Sequence, residues 1–175
     1  MRTLEHRRHG PREPTGIHLS AAGRSLARSV GGTLPRFDRV VTSPKPRAVE
    51  TAEAMGYRVD ASVAGLGLLP DDAEGSGDED SPRSFAEYVE RLARNEAVAA
   101  YAADQSELWR TELERVPDGG SLLMISHGGV IEFGAAYALP HPARAWGRPL
   151  GYLEGVRMVW DGQRWVSGAV LRVPR

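Results

Sequence analysis

Cysteine is absent from this sequence of 175 residues, which removes disulfide scaffolds, thiolate metal sites and cysteine nucleophiles from consideration together. Lysine is nearly absent as well: Lys45 is the only one among 22 basic residues. Codon usage accounts for such an arginine bias as readily as selection for bidentate anion contacts does. An excess of charge of either sign is also missing, since 23 acidic residues leave a formal net charge of −1. No overall positive field gathers nucleic acid or an anionic membrane surface, so any anion site has to be local. Long apolar runs are lacking too; nothing approaches the ~20 residues of a membrane span. Met1 to Gly10 is polar, without the apolar core of a signal peptide, so the expected compartment is cytoplasmic. At this length the expectation is one domain, residues 1–175, able to bury a single core.

What is present is an alternation of strand and helix signals. Thr3 to Arg8 is short and polar; periodicity does not make it a strand, although Leu4, His6 and Arg8 would share one face if it were. After a loop holding Pro11, Pro14 and Gly16, Ser20 is placed to cap a helix with Ala22, Leu26 and Val30 at spacing four, ending at Gly31-Gly32. Phe37 to Thr42 reads as a short buried strand, and Pro44 or Pro46 in the first turn opens a helix through Ala54. Gly56 to Pro70 carries the apolar residues of a further strand with an irregular exit. Asp71 to Asp80 holds six acids among Gly75, Ser76 and Gly77 and is expected to be a flexible acidic loop. It fails as an EF-hand, with Ala73 and Gly75 at ligand positions and Pro82 at the twelfth.

Ser84 with Glu87 makes a capping box for a helix expected to carry Phe85, Tyr88, Leu92 and Ala99. Asp104 with Glu107 is the expected cap of another, carrying Leu108, Trp109 and Leu113. Leu122 to Ile125 is the continuous apolar run of a strand buried on both faces, followed after Gly128-Gly129 by a helix from Val130 to Leu139. Val156, Met158 and Trp160 alternate up to Asp161-Gly162 and Trp165 to Val173 returns, which predicts a hairpin with a type I′ turn. Strands interleaved with helices predict an α/β fold: a three-layer α/β/α sandwich whose sheet is mostly parallel, with a C-terminal antiparallel hairpin. In such sheets ligands bind beyond the carboxyl ends of the strands.

Three polar clusters fall at such ends: Arg8-His9-Gly10, Ser43-Pro44-Lys45-Pro46-Arg47 and Ser126-His127-Gly128-Gly129. Singly, each has an ordinary explanation as solvated surface or a helix cap. Together on one rim, two imidazoles and two guanidiniums suit a phosphoryl group: arginine supplies paired donors to its oxygens, and a neutral imidazole can attack phosphorus. These clusters, with Leu19-Ser20-Ala21-Ala22-Gly23 and Glu50-Thr51-Ala52, resemble in order and spacing the histidine phosphatase superfamily, in its phosphoglycerate-mutase-like branch 1. The resemblance runs from about Leu4 to Ala138. It implies a phosphomonoesterase acting on a small phosphorylated molecule, with His9 phosphorylated transiently and Arg8, Arg47 and His127 around the phosphate. His127 is expected to be cationic when phosphate is bound. No metal or other cofactor is implied, and neither a nucleic acid nor a membrane partner.

The general acid is harder to place. The branch usually has a glutamate after a Leu-x-Glu segment, and here the comparable stretch reads Leu66-Gly67-Leu68-Leu69-Pro70-Asp71-Asp72-Ala73-Glu74. Glu74 ranks first, then Asp72 and Asp71, with Glu13 a weaker choice; all of them also suit solvated loop charges. Pro11 replaces the acidic residue common after the glycine. A mutase is disfavoured because the insertion that is basic in mutases is acidic here, and an acidic lid would disfavour highly anionic substrates. The absence of G-x-x-x-x-G-K-[ST] and of G-x-S-x-G excludes a P-loop nucleotidase and disfavours an α/β-hydrolase. A metal hydrolase using His6, His9, His127, His141 and the acidic loop is a minor alternative. The main competitor is a phosphatase-like protein that binds a phosphorylated ligand or a protein partner without turning it over.

Overall fold

The computed structural model describes residues 1–67, 69 and 82–174. Glu74, Asp72, Asp71 and the acidic stretch 71–80 lie outside the described residues. Six strands, β1 (Arg2–Arg8), β2 (Arg39–Thr42), β3 (Ala61–Ser62), β4 (Ser121–Ser126), β5 (Gly155–Trp160) and β6 (Trp165–Leu171), form one sheet in the order β3-β2-β4-β1-β5-β6. β1 pairs with β4 in parallel, as β4 does with β2 and β2 with β3; β5 runs antiparallel to both β1 and β6.

The apolar run in β4 is continuous because the strand is central. Leu122 and Met124 enter one core, whereas Leu123 and Ile125 enter another. Helices α1 (Ala21–Gly31) and α2 (Pro46–Ala54) cover the second face through Ala27, Ala48 and Ala52. The opposite face packs on α3 (Phe85–Arg94), α4 (Glu96–Glu114), α5 (Val130–Ala138) and the short α6 (Pro140–Ala143). The expected three-layer α/β architecture is the one observed.

Several local expectations need correction. The polar segment at the N-terminus is β1, a central strand. Glu5 is 1% exposed and accepts from Arg7 Nε at 2.6 Å and from Arg157 Nη2 at 2.8 Å, and His6 Nε2 lies 2.6 Å from Ser126 Oγ. Burial of such groups is tolerable when each finds a partner. Ser84 does cap α3, accepting from Glu87 N at 3.2 Å, but that helix ends at Arg94, short of Ala99. Asn95 takes an extended conformation there, and its side chain accepts from Val98 N at 3.1 Å, starting α4. Asp104 is therefore mid-helix rather than a cap. The β5–β6 connection is not a two-residue type I′ turn: four residues, 161–164, join the strands. Gly162 alone of these has positive φ (108°), and Asp161 Oδ1 accepts from Gln163 N and Arg164 N at 2.7 and 2.9 Å. An Asp side chain that caps the turn replaces the second left-handed residue. The strand expected within Gly56 to Pro70 is only Ala61–Ser62, followed by a 3₁₀ turn, Ala64–Gly67.

Candidate active site

β2, β4 and β1 are adjacent and parallel, so their carboxyl ends share one rim. His9 follows β1, Ser43 to Arg47 follow β2 and open α2, and His127 follows β4. The expected convergence is present: Arg8, His9, Arg47 and His127 line one cavity of about 460 Å³, together with Arg12, Lys45, Gly67, Leu69, Gly128, Val130 and Tyr152. The His9 and His127 ring centroids are 5.2 Å apart.

The loop that carries His9 is held from both sides by the two further motifs. Pro11 O accepts from Ser20 N at 3.0 Å and from Ser20 Oγ at 3.2 Å, while Ser20 Oγ also accepts from Gly23 N at 3.0 Å as the α1 cap. Gly23 is required for this approach, because a Cβ there would lie 2.0 Å from Pro11 O. From α2, Thr51 Oγ1 accepts from Gly10 N at 3.0 Å and donates to Arg47 O at 2.6 Å. Glu50 accepts from Leu19 N at 2.8 Å and pairs with His18 and Arg24, which together hold its carboxyl below the usual range against the opposing effect of burial. Each motif thus positions the loop that carries His9 rather than lining the cavity.

The two partners of His9 settle its tautomer. Gly10 O can only accept, so Nδ1 carries the proton and donates across 2.7 Å. Arg47 Nε–H can only donate, so Nε2, 3.1 Å away, presents a lone pair. Burial lowers the His9 pKa to about 4; the Gly10 contact opposes this and the charges of Arg47, Arg8 and Arg12 add to it. His127 Nε2 lies 2.8 Å from Ser43 Oγ. Burial, then His9, Arg47 and Lys45, pull its pKa down to about 2, so it is neutral beside these charges. A phosphate dianion would act in the opposite sense and raise it.

Arg8 donates through Nη1 to Leu150 O at 2.8 Å and lies against Gly128, where a Cβ would stand 3.2 Å from its guanidinium carbon. Glu132, buried at the start of α5, accepts from Gly129 N at 2.8 Å and Leu150 N at 2.9 Å, tying the His127 loop to the segment that receives Arg8.

Sequence reasoning missed Tyr152 and Arg12 and assigned Lys45 no role. The Tyr152 ring stacks 4.8 Å from the Arg8 guanidinium carbon and its centroid is 5.7 Å from that of His9. It is placed by Leu153, the one non-glycine residue with positive φ (61°) among the described residues, which also accepts from Arg7 Nη1 at 2.7 Å. A signal existed: a strand antiparallel to β1 brings the residues before it to the rim where β1 ends. His6 is not at the site; it is fully buried against Trp109, its ring 4.8 Å away. None of the described residues lining the cavity bears a carboxylate, and Glu13 is not among them. No group of three or more His, Asp or Glu placed to hold a metal ion occurs among the described residues.

The sequence model of the histidine phosphatase superfamily, branch 1, matches residues 3–170. The chain belongs to this superfamily. No curated protein sequence matches it significantly. Among solved structures, a phosphoserine phosphatase from Entamoeba histolytica, in complex with 3-phosphoglyceric acid, is similar at 18% identity. The match covers 95% of this chain and 94% of that one, with a TM-score of 0.70. A phosphoglycerate mutase from Bacillus anthracis is similar at 13% identity over 94% and 90% of the two chains, with a TM-score of 0.68. A mycobacterial glucosyl-3-phosphoglycerate phosphatase, in complex with vanadate, is similar at 22% identity over 95% and 96%, with a TM-score of 0.56. At these identities the likeness establishes the histidine phosphatase fold and leaves substrate and mechanism to be argued from the site.

Proposed function

We propose that the chain is a phosphomonoester hydrolase that works as one domain and acts through a transient phosphohistidine on His9. The observation that carries this reading is the His9 tautomer, with Nδ1 donating to Gly10 O and an unprotonated Nε2 facing Arg47. Nε2 attacks phosphorus, the ester P–O bond breaks, and the leaving oxygen takes a proton from an acid. Water then attacks the phosphohistidine and gives a proton back to the acid that lost one, releasing inorganic phosphate and restoring the lone pair on Nε2. Arg8 and Arg47 hold the equatorial oxygens, and His127, protonated as the dianion arrives, adds a third donor to the charge that spreads in the transition state. The scheme uses no metal or cofactor. Superfamily membership and the phosphatases among the structural neighbours support it; the substrate is taken to be a small phosphorylated metabolite that reaches the cavity from the cytoplasm.

The proton donor is assigned to Glu74 on sequence grounds alone, with Asp72 and Asp71 as the other choices. Glu74→Gln is expected to slow alkyl phosphates far more than p-nitrophenyl phosphate, whose phenolate departs with little protonation. Steady-state rates on both esters check this, with Asp71→Asn and Asp72→Asn as controls for simple loss of charge. Selectivity in an Asp variant instead would move the assignment to that residue. The carboxylate-free lining of the described cavity favours one second reading, a phosphate-binding protein without turnover. Inorganic phosphate binding with no hydrolysis of any ester by the wild-type chain would support it over the hydrolase.

A further inference from the structure

The cavity holds four permanent cations, Arg8, Arg12, Lys45 and Arg47, and no carboxylate among its described lining residues. In the proposed scheme a phosphoryl dianion in line with His9 Nε2 engages Arg8 and Arg47, the latter with its Nε 3.1 Å from that nitrogen. Two positive charges are then left over. Arg12 and Lys45 are both exposed, whereas His9 at the base is 5% exposed, so the leftover pair stands at the mouth, facing whatever lies beyond the phosphorus. Among the described residues the Arg12 side chain donates to Gly16 O, across a long 3.3 Å, and neither Arg12 nor Lys45 has an acidic partner there.

The two approach from different sides. Arg12 comes from the loop after β1, and Lys45 from the N-cap of α2. The Lys45 side chain reaches the cavity past Gly67, where a Cβ would come within 3.7 Å of Lys45 Cε. Leu69, Val130 and Tyr152 add apolar and aromatic side chains to the same wall. Uncompensated like charges in one cleft repel one another and concentrate anions. Recognition of a phosphoryl group alone does not account for the second pair.

We propose that Arg12 and Lys45 form a second anion subsite at the mouth of the cavity, selecting small phosphate monoesters whose leaving group carries a further negative charge, a carboxylate or a second phosphate. This deepens the hydrolase reading and rests on it for the word substrate. It also runs against the preference expected from the acidic stretch 71–80, which lies outside the described residues: the charge of the described lining favours anionic leaving groups.

The experiment compares near-isosteric esters on the full chain at low ionic strength: 2-phosphoglycolate, 2-hydroxyethyl phosphate, ethylene glycol bisphosphate and phosphocholine. Wild type is expected to favour phosphoglycolate or the bisphosphate over hydroxyethyl phosphate by about tenfold or more in kcat/KM, the size of one charge-assisted contact, with phosphocholine the poorest. Which of the two anions is preferred identifies the second group. Arg12→Gln and Lys45→Gln should each shrink that ratio, and the double variant should bring it close to one. The ratio is what is read, so a general loss of rate cancels. A wild-type ratio near one, or variants that lower all four esters equally, would overturn the subsite. If wild type hydrolyses none of the esters, the hydrolase reading fails on its own. The subsite is then decided by calorimetric affinities of phosphoglycolate against hydroxyethyl phosphate in wild type and the double variant, with the same expected ratios.

Discussion

Replacing His9 by alanine is expected to abolish phosphomonoester turnover, by about four orders of magnitude or more, while phosphate still binds. The expectation follows from the division of labour at the rim. In the proposed scheme His9 supplies the lone pair, and its side-chain hydrogen bonds are to the backbone oxygen of the next residue and from Arg47 Nε. The phosphate contacts assigned to Arg8 and Arg47 belong to side chains anchored elsewhere, Arg8 through Leu150 O and Arg47 through its place at the start of α2. Loss of the imidazole frees Arg47 Nε for a phosphate oxygen, so affinity for inorganic phosphate should stay within about tenfold of wild type. Two measurements separate the outcomes. Rapid quenching of wild type with substrate should trap an acid-labile, base-stable phosphoenzyme whose mass gain is one phosphoryl group, absent from the variant. Calorimetry should show phosphate binding in both. Turnover that survives in His9→Ala would remove the covalent mechanism, whereas loss of both turnover and binding would point to a damaged pocket.

The parts of the fold legible in the sequence are those in which local chemistry and tertiary role agree. Ser20 and Ser84 cap the helices they precede, Pro46 opens α2, and the run Leu122 to Ile125 is buried on both faces. β1 was illegible because its polar residues are satisfied by groups far along the chain: Arg157 for Glu5 and Ser126 for His6. Periodicity registers transfer to an apolar environment and is blind to a charge that is buried with its partner. The α3–α4 break is hidden in the sequence for a related reason. Asn95 and Asp104 are both competent caps, and the choice between them is made by which helix has a face to bury: Phe85, Tyr88 and Val89 on one, Val98, Ala102 and Trp109 on the next.

At the site, strand ends were sufficient to bring Arg8, His9, Arg47 and His127 together, since parallel topology places them on one rim whatever the loops do. Arg12 and Tyr152 depended on how two loops fold back. One is pinned by Gly23 and Thr51, the other by Leu153 in its left-handed turn and by the Glu132 carboxylate. The antiparallel return of β5 beside β1 points to Tyr152, whereas nothing in the spacing announces Arg12.

The same burial that keeps the imidazoles neutral makes the protein sensitive to acid. His6, His9 and His127 have pKa values lowered from 6.5 to about 3, about 4 and about 2, with desolvation the largest cause in each. In the unfolded chain they take up protons near the ordinary value of about 6.5. Each therefore contributes stability that is complete above that pH and is lost as the pH falls towards its folded-state value, because only the unfolded state binds the proton. Between about pH 6 and 4.5 the three together are expected to lower unfolding free energy by about 4 kcal/mol per pH unit, a large fraction of a typical domain's 5–15 kcal/mol. Glu154 and Glu50, whose carboxyls are held low by arginine and histidine partners, lose their contribution only at lower pH, through the carboxylate range. Glu132, raised by burial, works in the opposite sense. Differences between variants remove its effect: urea unfolding of His127→Asn and His9→Asn across this window should each show a slope shallower than wild type by about one third. Low millimolar sulfate, dianionic throughout and a mimic of phosphate, should flatten the wild-type slope by raising His9 and His127 while leaving His6 untouched. A wild-type slope that neither substitution nor sulfate alters would place the acid sensitivity outside the pocket and contradict the neutral state assigned to its two histidines.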